Sequence, residues 1–171
     1  MNKLVHAALP FGMVGGFLLV LGFLFLYLLG TEPVGMLLIF GYVVVPVFVF
    51  AGIKQFRDKF NGGALYFSQG MSIGFLVYIL MALISALFIW GFMAFKPEVF
   101  EAFKASNVAL LEEKRGLLTE QLGEESFEET YRNIQDMSVF DVVLNDFLRK
   151  IFPGLFFTII ISIILKRTLT S

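Results

Sequence analysis

The densest group of side chains that could do chemistry lies between two apolar runs of the sequence. It consists of Lys54, Arg57, Asp58 and Lys59, three basic residues and one carboxylate. If the preceding helix continues through this segment, these charges face water at the level of the lipid headgroups. We expect the group to be a topology signal that ends in a turn; contact with a lipid headgroup or a partner protein is the alternative.

Other catalytic or metal-binding patterns are missing from the sequence. His6 is the only histidine and there is no cysteine, so the ligands of a zinc site are not available. Calcium loops of the D-x-D-x-D type and phosphate loops of the G-x-x-x-x-G-K-S/T type do not occur. We therefore expect no catalytic residue, no cofactor and no metal.

These side chains belong to a chain with the composition of an integral membrane protein. Of its 171 residues, 58% are hydrophobic and 16% are charged, whereas a soluble domain carries about 25% charged residues. The composition excludes a disordered chain, a disulfide scaffold and an ordinary cytosolic enzyme. The expected partner is the lipid bilayer, together with a membrane protein or a second copy of the chain, and no nucleic acid.

Four apolar runs predict four transmembrane helices, over about residues 8–30, 34–54, 70–95 and 151–166. The first run is too long for a signal peptide and is expected to be retained. The last run is the shortest, but basic residues on both sides of it can snorkel to the interfaces. No charged residue lies in the middle of a predicted span, which argues against a proton-coupled transporter, a charged pore and an intramembrane acid protease.

Small and polar residues within the spans indicate how the helices pack. Gly12 and Gly16, and likewise Gly70 and Gly74, are spaced to allow close helix approach, within this chain or with another copy. Pro46 predicts a kink in the second span, either static or a hinge. Uncharged polar side chains, expected to bond to backbone carbonyls or across helices, are Tyr27, Tyr42, Ser72, Tyr78, Ser85, Thr158 and Ser162.

The distribution of charge predicts the orientation. One side of the membrane holds both termini and the loop after the second span, with six basic residues against a single acid, Asp58. The other side holds seven basic and thirteen acidic residues. Because short basic loops stay in the cytoplasm, both termini are expected to be cytoplasmic. The address is then a bacterial inner membrane, with the acidic segment in the periplasm.

The acidic segment, residues 97–148, is the only stretch that looks soluble. Apolar residues recur in it at helical spacing, and Gly123 separates two amphipathic series. We expect an antiparallel helical hairpin whose apolar stripes face each other, a partner protein or a second copy. The apolar positions are Val99, Phe103, Leu110, Leu117, Leu118, Phe127, Tyr131, Ile134, Val142, Val143 and Phe147.

Two parts of the sequence resemble a known family, the domain of unknown function 4199 of small bacterial membrane proteins frequent in Bacteroidetes-type bacteria. The first part is the run 50–54 followed by Arg57-Asp58, Gly62-Gly63 and Phe67. The second is Phe152-Pro153-Gly154-Leu155 with the closing run 164–166. The resemblance implies four transmembrane helices and an inner-membrane address. It implies no activity and no catalytic residue.

Together these observations predict an all-α polytopic membrane protein with four transmembrane helices and a periplasmic amphipathic hairpin between the third and fourth. The leading functional hypothesis is a non-enzymatic accessory or scaffold subunit of a membrane complex. The second is a small oligomeric transporter or channel. The third is a lipid-headgroup-handling enzyme that uses the cluster at Lys54, Arg57, Asp58 and Lys59.

Overall fold

The computed structural model describes residues 3–168, without the side chain of Leu38. Two helices precede the loop at residues 61–66: α1, Lys3–Leu28, and α2, Pro33–Gln55, which is prolonged by a π-helical segment, Phe56–Phe60. The remaining helices are α3, Phe67–Phe95; α4, Pro97–Glu113; α5, Arg115–Leu122; α6, Glu124–Gln135; and α7, Val139–Leu165.

Four segments are long and apolar enough to cross a membrane, namely Lys3–Leu28, Pro33–Phe60, Phe67–Phe95 and Val139–Leu165. This confirms the prediction of an all-α chain with four candidate membrane helices. α2 and α3 contact each other, and both α1 and α7 pack against this pair. One end of the bundle carries α4–α6 (the α4–α6 end). The other carries the start of α1, the end of α7 and the 61–66 loop (the terminal end).

Glycines set the close contact between α1 and α3. A Cβ atom placed on Gly12 would lie 2.8 Å from Leu80 Cδ2, and one on Gly16 would lie 2.7 Å from Ile84 Cδ1. Such distances are shorter than any real van der Waals contact, so only glycine lets the two backbones come this near. Gly12 and Gly16 therefore serve packing within the chain.

A second set of close contacts joins α3 to α7. A Cβ atom on Gly70 would lie 2.6 Å from Ser162 Oγ, and Gly74 lies against Thr158. In the reverse direction, Gly154 of α7 receives the ring of Tyr78, whose Cγ would be 2.6 Å from a Cβ atom there. The two helices thus exchange small and large residues along their shared face.

The helix that carries the fourth apolar run begins earlier than predicted. The expected span was 151–166, but α7 starts at Val139. Ser138 caps it, since its backbone N–H donates to Asp141 Oδ2 at 2.8 Å and the Asp141 N–H donates back to Ser138 Oγ at 3.3 Å. The stretch 139–150, assigned to the soluble segment by its charges, is therefore part of a bundle helix.

The segment between α3 and α7 contains three helices rather than the two expected. Gly123 separates α5 from α6 with φ of +85°, and a further break at Lys114 separates α4 from α5. α6 packs against both α4 and α5. The ring of Phe127 is buried beneath the Arg115 guanidinium, 4.7 Å away, and Arg115 also pairs with Glu124 at 2.7 Å.

At the terminal end, Arg167 forms a backbone bridge with Leu65 in the loop before α3. The backbone N–H groups of Leu65 and Arg167 each donate to the other's carbonyl, at 2.8 and 3.0 Å. The bundle is therefore closed at this end by backbone pairing as well as by side chains.

The second helix, α2, is a continuous helix through Pro46.

Candidate functional site: a polar pocket above a buried ion pair

Among residues 3–168, two residues with charged side chains are buried within the bundle. Asp146 and Lys150 lie one turn apart on α7, and each is only 2% exposed. The Lys150 ammonium donates a hydrogen bond to Asp146 Oδ1. The second carboxylate oxygen, Oδ2, has no hydrogen-bond partner. The pair is therefore neutral as a unit but leaves one acceptor unsatisfied.

Residues of α2 and α3 surround the pair. The Lys150 Cε atom would be 3.7 Å from a Cβ atom on Gly41, so this glycine leaves room for the lysine stem against α2. The Ser85 hydroxyl of α3 lies beside the Asp146 carboxyl group but makes no hydrogen bond of normal geometry. Gly41 follows the start of α2 by two turns, which places Lys150 about 12 Å below that end of the helix.

The predicted fourth span, 151–166, begins after these two residues, and the structure places both of them on the buried face of the longer helix α7. Counting charges along the sequence assigned Asp146 and Lys150 to the solvent. In the structure their spacing of four residues lets them neutralise each other on one helix face. The signal that could have revealed them is the set of apolar residues that continues the helix toward the pocket: Val139, Phe140, Val142, Val143 and Leu144.

A cavity of about 440 Å³ opens at the α4–α6 end, directly above the ion pair. The start of α2, α4, α6 and α7 enclose it. Its size lies in the range of small-molecule sites, about 300–1,000 Å³. About half of its lining is apolar, and its polar residues are Glu32, Ser106, Asn107, Asn145, Asp146 and Arg149.

The polar groups of this pocket differ in whether they already form hydrogen bonds or ion pairs within the chain. Glu32 caps α2, because its two carboxylate oxygens accept the N–H groups of Val34 and Gly35 at 2.6 and 2.8 Å. The Arg149 guanidinium, by contrast, forms no ion pair or hydrogen bond with the residues from 3 to 168. Asp146 Oδ2 and Arg149 are thus two opposite charges with free bonding capacity, three residues apart on α7.

A stripe of small and polar residues continues from the pocket along α7. It recurs every fourth residue, and its members are buried: Asp146, Lys150, Gly154, Thr158 and Ser162. The hydroxyl oxygens of Thr158 and Ser162 have no hydrogen-bond partner. Buried polar atoms normally have a partner, so several unsatisfied ones on one face call for an explanation such as water or a functional role.

The cluster singled out from the sequence lies at the opposite, terminal end. Arg57 Nε pairs with Asp58 Oδ1 at 2.7 Å, so these two residues largely satisfy each other. Lys54 lies over the Phe50 ring, 5.9 Å from its centroid, and Lys59 is exposed. The structure therefore does not bring this cluster together with the pocket.

Electrostatics outside the bundle are those of solvated helices. Lys96 and Glu98 pair at 3.2 Å where α3 passes into α4. The hydrogen bond from Lys96 to Glu98 raises the lysine pKa, while the Glu98 backbone N–H and then Lys96 lower the pKa of the carboxyl group. Across residues 3–168, no three His, Cys, Asp or Glu side chains are grouped to hold a metal ion.

These features define a small polytopic helical protein with a polar pocket at one end of a four-helix bundle. The family described as "Protein of unknown function (DUF4199)" matches residues 10–167, and the chain belongs to it. This confirms the resemblance noted from the sequence. Comparison with curated proteins and with solved structures gives no match.

Proposed function

We propose that the protein is a non-enzymatic, multi-pass protein of a bacterial inner membrane, with both termini cytoplasmic and α4–α6 outside. The excess of basic residues at the terminal end supports this orientation. Burial of Asp146 and Lys150 removes one charge of each sign from the opposite side, so the charge balance is unchanged.

The orientation can be tested with single cysteines, because the chain has none of its own. Ser126→Cys in α6 should react with a membrane-impermeant maleimide in intact spheroplasts. Asn61→Cys in the loop before α3 should react only after the membrane is opened. The reverse labelling pattern would contradict the proposed orientation.

Within this setting we propose a small oligomeric channel or transporter that carries protons along the polar stripe of α7. The observation that carries the proposal is the Asp146–Lys150 pair, because Asp146 lines the pocket while its unpaired carboxylate oxygen is buried below it. Ionisable residues within membrane helices usually mark ion or proton paths. The buried pair removes the main sequence-based objection to the transporter hypothesis.

The spacing of the stripe suits a chain of bridging waters. Neighbouring members four residues apart are separated by about 6 Å along the helix. This is about the length of two hydrogen bonds through one water molecule. Gly154 contributes no polar side chain and is covered by the Tyr78 ring, so proton passage over the about 12 Å between Lys150 and Thr158 requires this ring to move aside and admit water.

Proteoliposomes with an internal pH-sensitive dye test this function. With a potassium gradient and valinomycin, the wild-type protein should move protons faster than protein-free vesicles. Thr158→Val keeps the side-chain shape but removes the hydroxyl, and should slow the flux severalfold. Thr130→Val, on the solvent-exposed α6, is the matched control. Wild-type flux equal to that of empty vesicles, or an unchanged flux in Thr158→Val, would reject the proposal.

A second candidate function, an accessory subunit of a membrane complex, is favoured by the surface of α4–α6. Three of its leucines, Leu110, Leu117 and Leu122, are between 52% and 61% exposed. Exposed apolar side chains on a soluble segment are typical of a contact surface. The mass of the particle extracted in a native nanodisc tests this function: a second polypeptide in fixed ratio supports it, and copies of the 19.3 kDa chain alone contradict it.

A further inference from the structure

The pocket at the α4–α6 end is lined by two residues of opposite charge on α7, the buried Asp146 and the exposed Arg149. Asp146 is buried and its Oδ2 atom accepts no hydrogen bond, although the residue lines the cavity. Arg149 also lines the cavity, and its guanidinium has no partner between residues 3 and 168. The Ser85 hydroxyl lies beside the Asp146 carboxyl group and also lacks a hydrogen-bond partner, so a ligand donor that reaches Oδ2 competes with this one hydroxyl and gains free energy on binding.

The balance of charge around the pocket narrows the class of ligand. The negative charge of Asp146 is offset by Lys150 directly below it. Arg149 and Glu32 also carry opposite charges, and Glu32 is already engaged by the backbone at the start of α2. The site is thus close to neutral as a whole, while its free groups are one acceptor and one cation. A ligand with separated charges and no net charge matches this pattern better than a simple ion does.

We propose that this pocket binds a small zwitterion with a primary ammonium group and a phosphate or carboxylate. The ammonium would donate to Asp146 Oδ2, and the anionic group would accept hydrogen bonds from the Arg149 guanidinium. Residues three apart on a helix are offset by about 4.5 Å along its axis. This offset is of the order of the charge separation in an amino acid or in phosphoethanolamine.

The remaining lining suits the rest of such a molecule. Asn145 and Ser106 add neutral hydrogen-bonding groups near the charges, and Phe103, Ile134 and Val142 provide an apolar wall. The ligand can be a free solute or the headgroup of phosphatidylethanolamine, since both carry the same ammonium and phosphate. Binding of this ligand at the mouth of the pocket does not require proton movement along α7.

Binding measurements on the full-length protein test the proposal and distinguish the two sources. Calorimetry with glycerophosphoethanolamine, whose phosphodiester carries a single negative charge as in the lipid, reports the free solute on protein purified in detergent. Native mass spectrometry of nanodisc-extracted protein reports retention of phosphatidylethanolamine against phosphatidylglycerol and phosphatidylcholine. Phosphatidylcholine keeps the phosphate, but its quaternary ammonium has no N–H to donate. Binding of glycerophosphoethanolamine identifies a free solute, and selective retention of phosphatidylethanolamine alone identifies the lipid headgroup. Either result supports the zwitterion site.

Variants connect the binding to the pocket. Arg149→Gln should weaken binding about tenfold or more, because charge-assisted hydrogen bonds to the anion are lost. Arg132→Gln, an exposed arginine of α6 outside this pocket, is the matched control and should bind as the wild type. The double variant Asp146→Asn, Lys150→Met removes the pair as a neutral unit and should abolish the preference for a primary ammonium. No binding of either probe, equal retention of phosphatidylcholine, or unchanged affinity in Arg149→Gln would overturn the proposal.

Discussion

Removing one member of the Asp146–Lys150 pair should cost far more stability than removing both. Asp146→Asn leaves the Lys150 ammonium buried without a carboxylate, and Lys150→Met leaves the carboxylate buried without a cation. Both side chains are 2% exposed in the wild type, so water cannot replace the lost partner. Breaking a buried pair on one side costs about 3–5 kcal/mol, whereas replacing both members with apolar or neutral groups is close to neutral.

Unfolding in mixed micelles with increasing SDS measures these differences. The single tryptophan, Trp90 on α3, reports the transition by its fluorescence, and far-UV circular dichroism reports loss of helix. Each single variant should lose about 3–5 kcal/mol in the free energy of unfolding, and the double variant Asp146→Asn, Lys150→Met should recover most of it. The coupling energy between the two positions should therefore be several kcal/mol.

Matched controls separate burial from the chemistry of the substitutions. Lys114→Met and Asp136→Asn make the same exchanges at exposed positions of the α4–α6 segment and should leave the transition almost unchanged. If the single variants at Asp146 and Lys150 behave like these controls, the pair is hydrated rather than buried. If the double variant loses as much as the sum of the singles, the two residues are not coupled. Either result would refute the reasoning.

Other substitutions probe the packing, the caps and the terminal end. Gly154→Leu should destabilise the bundle by about 1–3 kcal/mol in the same SDS titration, because its side chain would collide with Tyr78, whereas Gly91→Ala has open space and should not. Ser138→Ala should cost about 1 kcal/mol through loss of the α7 cap, measured in the same way. Arg57→Ala should lower the fraction of correctly oriented protein in maleimide labelling, while a loss of activity at normal orientation would favour a lipid-handling enzyme.

The number and approximate position of the membrane helices follow from the sequence because long uncharged runs leave few alternatives. The uncharged runs around Leu19, Val44 and Val77 are long enough to predict membrane spans. The structure places a long helix at each. Close helix packing could also be predicted, because small residues four apart typically allow membrane helices to approach each other. The residues that gave this signal are Gly12, Gly16, Gly70 and Gly74. Which helices they join could not be read from spacing alone.

The start of α7 and the pocket could not be located in the same way. A charged residue contributes the same hydropathy whether it faces water or a partner of opposite charge, so Asp146 and Lys150 made the predicted span begin too late. The pocket also depends on Glu32 and Asn107, which are far apart in the sequence and meet only after α4 folds over the start of α2. Only tertiary contacts reveal such a site.

The four-residue repeat on α7 also limits how the chain can change in length. Each step of four residues turns the helix by about 40° more than a full turn, so the stripe winds by about 160° between Asp146 and Ser162. This is why its upper part meets α2 at Gly41 while its lower part meets α3 at Gly70. One inserted residue between Lys150 and Thr158 would rotate the lower half by about 100° and turn its hydroxyls toward lipid. Insertions should therefore be tolerated in α4–α6 and rejected in the middle of α7.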